Sequence, residues 1–376
     1  MNAASAVAIV MVACLLVMPC SNGAIAAEIR PSDIMDLVTP IRTIDPTDKG
    51  FSDLRALDPL LDGKRIVLLG ETDHGDGTTL LAKTRFVKYL HEVHGFDLLI
   101  FESGLVDCYY GWQTVCDGGT GQEGFRRGVF GIWSQSRQMA PLMDYLEAAA
   151  RGSHPLLIAG MRVHLITGWR KSADALEGLV DDVEEAEIPQ TQLSAFRALC
   201  RWLTDFSESA PSDLSAWLAS SDLIECELER AGTSAYPRWE ELIIWRRFLH
   251  LLPQYVTLHQ LQLRGGFQEF QLSEKLDGEN IRWLLEVMYP GKKAIVWAAN
   301  AHVSRMPLDG YRVVGTHVAE YYPDSSFVIA FTGGRGGISQ GFFRDRTVPD
   351  PEPGSLEAAL LASGCRHCYV NLHQGT

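Results

Sequence analysis

The strongest constraint on this chain is a set of five short apolar runs kept apart by helical text. They are Arg65-Ile66-Val67-Leu68-Leu69, Phe96-Asp97-Leu98-Leu99-Ile100-Phe101, Pro155-Leu156-Leu157-Ile158-Ala159, Lys293-Ala294-Ile295-Val296-Trp297-Ala298 and Ser326-Phe327-Val328-Ile329-Ala330-Phe331. Each has the length and the apolar, partly β-branched content of a buried strand. Between the first two, Thr78 is placed to cap a helix running to about Glu92, with Leu81, Phe86 and Leu90 among its apolar positions and Gly95 as its break. Further helices are expected over 137–150, over 276–288, where Ile281, Leu284, Leu285 and Met288 recur at helical spacing, and over 355–362. Tyr369-Val370-Asn371-Leu372 reads as a last strand. Short apolar strands joined by helices predict an α/β fold with a largely parallel sheet covered by helices.

The middle of the chain breaks that rhythm. Residues 169–264 hold no convincing strand, and 169–186, 191–206, 212–229 and 236–263 have helical spacing interrupted by Pro189, Pro211 and Pro237. The expected organisation is an export signal over 1–27, the N-terminal part of an α/β catalytic domain over 28–168, a helical cap or insertion over 169–264, and the C-terminal part of the catalytic domain over 265–376. Residues 28–60, with Pro31, Pro40 and Pro46, form a lead-in that crosses the larger domain.

The export reading rests on the almost unbroken apolar stretch from Ala6 to Met18, followed by Ser21-Asn22-Gly23 and the small residues Ala24-Ile25-Ala26-Ala27. This is an h-region and cleavage-site pattern, with Ala26 or Ala27 the last residue removed, although no Lys or Arg precedes the apolar run. The stretch is too short for a secure membrane span. A lipid anchor on Cys20 is a second reading, disfavoured by Pro19 directly before it. The expected location is therefore periplasmic or extracellular. In that oxidising setting Cys108, Cys116, Cys200, Cys226, Cys365 and Cys368 are candidates for disulfides, with Cys108–Cys116 and Cys200–Cys226 as local pairs. Cys365-Arg366-His367-Cys368 reads as a tight disulfide, a redox pair or half of a zinc site.

A net charge of −14 disfavours a nucleic-acid partner, because a phosphate backbone rewards clustered Lys and Arg. It is compatible with a solvated surface or a cationic substrate. The sequence names no protein partner.

Open α/β sheets bind ligands beyond the carboxyl ends of their strands. Three of the runs lead there into unusual polar residues: the first into Gly70-Glu71-Thr72-Asp73-His74-Gly75, the second into Glu102, the fourth into Asn300-Ala301-His302. An imidazole exchanges a proton near neutral pH and a carboxylate orients it. His74 is thus the candidate general base, Glu71 its support, Glu102 a further member of the network, and His302 a proton donor or a stabiliser of oxygen charge. Lys83 and Arg85 could anchor an acidic group, balance the carboxylates, or simply line a solvated helix face. Asn300 is a substrate-binding candidate beside His302. No Gly-x-Ser-x-Gly elbow is present, and Ser304 carries no mark of an activated nucleophile. Gly70 to Gly77 is neither a phosphate loop nor a dinucleotide fingerprint, and Gly333-Gly334-Arg335-Gly336-Gly337 reads as a mobile loop near the pocket. No cofactor is expected. His74, His302 and the two glutamates are nonetheless chemically sufficient metal ligands, so a metal-dependent ester or amide hydrolase stays the rival reading.

These pieces resemble the erythromycin esterase family. The resemblance runs through Leu69–Gly75, Gly95-Phe96 to Glu102, Gly278–Leu285, Val296–Val303, Gly315–Val318, Phe331–Gly334 and Gly354–Glu357 in consistent order. It implies an α/β fold with a helical addition, and hydrolysis of an ester or lactone by water without a covalent serine intermediate. It places Glu71 as supporting carboxylate, His74 as general base, Glu102 and His302 as further site positions, and Lys83 at a basic position. The chain departs from the family at three places. It reads Ala299-Asn300-Ala301-His302 where members commonly read His-Asn-Ala-His. It also carries Arg162 where they carry Asp, with no Arg-Asp pair in Ser273–Asp277. The expected function is hydrolysis of a small-molecule ester or lactone, with a non-catalytic small-molecule binder as the third reading.

Overall fold

The structure, a computed structural model, describes residues 8–12, 29–163, 188–204, 213–231, 239–338 and 346–372. Its strands are β1 (Ala8–Val12), β2 (Val38–Pro40), β3 (Ile66–Glu71), β4 (Leu98–Gly104), β5 (Leu157–Arg162), β6 (Ala294–Ala299), β7 (Ser326–Gly333), β8 (Gly337–Ile338), β9 (Arg346–Thr347) and β10 (Cys368–Asn371). The five apolar runs are β3 to β7. They form one parallel block in the order β7-β3-β6-β4-β5. The full sheet has eight strands, β2-β10-β1-β7-β3-β6-β4-β5, and β8 pairs with β9 apart from it.

Alternate residues of the central strands enter opposite cores, which is why these runs are apolar at nearly every position. Ile66, Leu68, Leu98, Ile100 and Val296 face one core; Val67, Leu69, Leu99, Ile295 and Trp297 face the other. On the second face lies the helix Gly77–His94, with Phe86, Val87 and Leu90 inward. Asp76, not Thr78, caps it: its carboxylate accepts from the backbone N–H of Thr78 and Thr79, and the helix stops on Gly95 at φ 69°. On the first face lie the helices Gln190–Thr204, Trp239–Arg264, Phe267–Trp283 and Val314–Tyr321, with Leu214–Ala231 beside them. Trp245 ties this set to the sheet side, donating from Nε1 to the Tyr110 hydroxyl at 3.0 Å, which in turn donates to Glu241. The helix expected over 169–186 lies outside the described residues.

Two helices that the sequence pattern hid follow β4, Leu105–Cys116 and Gly121–Gly128. Their glycines look like breakers but permit backbone contact. A Cβ on Gly111 would stand 2.6 Å from the Gly124 carbonyl oxygen, and one on Gly128 would stand 2.8 Å from that of Asp107. This pair also overturns a cysteine expectation. Cys108 and Cys116 stand at either end of two helical turns, about 12 Å of rise apart, too far for a bridge. No disulfide occurs among the described residues. Cys108 is buried and donates to the Gly128 carbonyl at 3.1 Å, Cys226 and Cys365 carry free thiols, and the Cys200 side chain lies outside the described residues.

Ala8–Val12, inside the stretch read as an export signal, is a paired strand, antiparallel to β7 and parallel to β10. Among the described residues no helix is long and apolar enough to cross a membrane.

Candidate active site

β3 and β6 run side by side, with Glu71 opposite Ala299 in register, and β4 flanks β6 on its other side. Their carboxyl ends therefore bring Glu71, Glu102 and the turn Asn300–Val303 to one edge of the sheet. The site there has two halves.

In the first half, Glu71 is fully buried at the end of β3 and gathers three donors. His74 Nδ1 lies 3.0 Å from Oε1, Trp133 Nε1 donates to the same oxygen at 2.8 Å, and Lys83 Nζ pairs with Oε2. A carboxylate only accepts, so the His74 proton sits on Nδ1 and the lone pair on Nε2. The ring is 29 % exposed and stands edge-on to the Trp133 indole at a centroid distance of 5.2 Å. Lys83 is fully buried, donates also to the Ala298 carbonyl at 3.3 Å, and lies 4.1 Å from the Trp297 ring centre. Burial pushes its ammonium down to about 8, against the pull of Glu71.

In the second half, Glu102 Oε1 accepts from Arg162 Nη2 at 2.5 Å and stands 3.3 Å from His302 Nε2, while Oε2 accepts from the Ala299 N–H. His302 Nδ1 meets Glu274 Oε1 at 2.6 Å, and Glu274 Oε2 accepts from the Val314 N–H. Arg162 also donates to Ser273 Oγ at 3.0 Å and approaches Asp277 Oδ2 at 3.3 Å. Burial would lower the His302 pKa, but Glu102 and Glu274 outweigh it and raise it to about 10. Burial would raise Glu102, yet Arg162 and His302 hold it far below the carboxylate range. Asp277 is the exception: burial, with Glu274 adding to it, outweighs Arg162 and pushes the carboxyl up to about 7. Three acidic side chains, Glu102, Glu274 and Asp277, thus share two cations, and Asp277 is less firmly ionised than Glu102.

The structure brings Glu71, His74, Glu102, His302 and Lys83 together. Lys83 is buried as the counter-charge of Glu71 and is not a surface anchor. Asn300 is committed to the scaffold: its amide donates to Thr72 Oγ1 at 3.0 Å and to the Phe331 carbonyl at 2.8 Å, locking the ends of β3 and β7. Arg85 stands apart. It is buried against the lead-in segment, donating to Asp53 and to the carbonyls of Thr43 and Gly50. Two steps along a helix turn the side chain by about 200°, which separates it from Lys83. Trp133 reaches the site from a single helical turn, Gly131–Ser134, and no feature of its sequence marks it. Glu274 was visible only as part of a segment departing from the family pattern. Among the described residues no group of three or more His, Cys, Asp or Glu side chains is placed to hold a metal ion.

The architecture and several site segments have counterparts in known proteins. The family model described as Erythromycin esterase matches residues 91–376, starting after Glu71, His74 and Lys83. YbfO of Bacillus subtilis (strain 168), whose name proposes a hydrolase, is 26 % identical over 360 residues, spanning 87 % of this chain and 78 % of that protein. Among solved structures, a Bacillus cereus protein superposes with a TM-score of 0.68 at 20 % identity, covering 86 % of this chain and 80 % of the other. A mutant erythromycin esterase in its open conformation superposes with a TM-score of 0.59 at 17 % identity, covering 83 % and 82 %.

Proposed function

From its membership of the erythromycin esterase family of hydrolases, which the match over residues 91–376 establishes, we propose that this chain cleaves a small-molecule ester or lactone by direct attack of water activated by His74. The observation that carries the reading is the 3.0 Å contact between His74 Nδ1 and a Glu71 carboxylate anchored by Lys83 and Trp133. It leaves the Nε2 lone pair on a partly exposed ring as the acceptor for a proton from water. The hydroxide so formed adds to the carbonyl carbon. The tetrahedral oxyanion collapses, and the imidazolium returns its proton to the leaving alkoxide. His302 is held as a cation by Glu102 and Glu274, so it suits charge stabilisation on the opposite side of the site and not proton abstraction. This chemistry needs no cofactor and no metal. The segment Ala6 to Met18 supports export as well; cleavage after Ala26 or Ala27 would take β1 from between β7 and β10, so the intact mass of the protein recovered from outside the cytoplasm decides that point.

The test is turnover of an ester and lactone panel by purified protein, with and without a chelator, beside His74→Ala. Turnover that survives chelation and is lost in the folded variant is the expected result. Activity unchanged in His74→Ala would remove the proposed base, and activity restored only by added metal would replace the mechanism.

A further inference from the structure

The helix Phe267–Trp283 contributes more to the site than Glu274. It starts abruptly after Gly265 and Gly266, at φ 68° and 120°, and this left-handed turn places Phe267 as its first residue. Phe267 is 65 % exposed, more than any other large exposed apolar side chain among the described residues. It is not loose: its ring stacks on Tyr311 at a centroid distance of 4.8 Å and an interplanar angle of 11°. One helical step inward, Phe270 lies 6.0 Å from the His302 ring. The next step reaches Glu274, which holds that same imidazole. Phe267, Phe270 and Glu274 share one helix face, since residues three and four apart are neighbours. An aromatic track therefore leads from open solvent to the second half of the active site. It extends about 12 Å when the Phe270–His302 distance is added to the spacing of helical neighbours.

Resting on the hydrolytic reading, we infer that Phe267, Tyr311 and Phe270 bind the apolar body of the ester, so that the preferred substrates carry a long acyl or alkyl chain beside the cleaved bond. Continuity with His302 favours a substrate group over a docked protein. The three rings form a short line that ends beside His302 and not a broad apolar patch. The outermost ring can be changed without opening a core.

The experiment compares wild type, Phe267→Ala and Phe267→Trp on p-nitrophenyl acetate against p-nitrophenyl decanoate, and on ethyl acetate against decyl acetate. Removing one aromatic contact should raise KM about fivefold to tenfold for a long substrate, leave kcat and the short substrates unchanged, and be rescued by Trp. Binding of decanoate, followed by calorimetry, should weaken in parallel, while loss of the Phe267–Tyr311 stack should lower the unfolding midpoint only slightly. Equal KM changes for long and short esters, or decanoate bound as well by the Ala variant, overturn the inference while leaving the hydrolase intact. No turnover of any ester by wild type defeats the hydrolytic reading instead, and undiminished decanoate binding by Phe267→Ala would then defeat the track independently.

Discussion

Lys83→Met isolates the electrostatic foundation of the site. Lys83 and Glu71 are both fully buried and ion-paired, so the substitution keeps approximate side-chain volume and leaves a carboxylate without its cation. Stranding one member of a buried pair costs about 3–5 kcal/mol. Glu71 keeps its contacts with His74 and Trp133, which puts the expected loss near the lower end, about 3 kcal/mol. Glu71→Gln in the same chain removes the stranded charge, so the double variant should recover most of that loss, with a coupling energy of about 2 kcal/mol. Urea unfolding of the four proteins near neutral pH measures it. A cost for Lys83→Met that is the same beside Glu71 and beside Gln would show that the lysine acts through packing alone, and the ion-pair argument would fail.

Three further outcomes follow from the same geometry. Arg85→Met should destabilise the protein by about 2 kcal/mol through its half-buried partner Asp53, yet leave kcat/KM of the folded enzyme within about twofold; a large activity loss at full folding would place Arg85 back in the site. Arg162→Met leaves Glu102, Glu274 and Asp277 with His302 alone and should lower kcat/KM by about a hundredfold, with partial rescue by Lys, as steady-state kinetics would reveal. His302 has a folded-state pKa raised to about 10 from 6.5, so its stabilisation is complete below the unfolded value and is lost as pH rises through the folded one. The stability gap between wild type and His302→Gln should therefore narrow from about pH 6.5 to about pH 10, by at most about 1.4 kcal/mol per pH unit; a gap independent of pH contradicts the assignment.

The sheet was legible because burial on both faces writes strands as unbroken apolar runs, and that needs no tertiary information to read. The strand-end rule then located Glu71, Glu102 and His302 without any knowledge of their partners. The chain hid what depends on distant partners. Trp133 contacts Glu71 across 62 positions and Arg162 contacts Glu102 across 60, and neither pairing has a local signature. Lys83 and Arg85 looked alike for the same reason: two cations on one helix, both buried, one neutralising Glu71 and the other tying down the lead-in at Asp53. The cysteine spacing misled because a helix converts eight residues into a rigid separation that a loop would have closed.

The two histidines carry the point furthest. Both follow a parallel strand, both meet a glutamate, and composition alone offers either as base or acid. His74 has one carboxylate on Nδ1, which fixes the tautomer and leaves Nε2 to accept. His302 is flanked by carboxylates at both nitrogens, 2.6 Å from Glu274 and 3.3 Å from Glu102, which keeps both protons on the ring. A second imidazole at position 299, where this chain has Ala, would stand opposite Glu71 in register and beside the backbone N–H that serves Glu102. The proposed division of labour therefore has to work with one base and one fixed cation. It follows that His74→Ala should leave no second histidine able to take over proton abstraction, so the residual rate should not show a new titration near the histidine range.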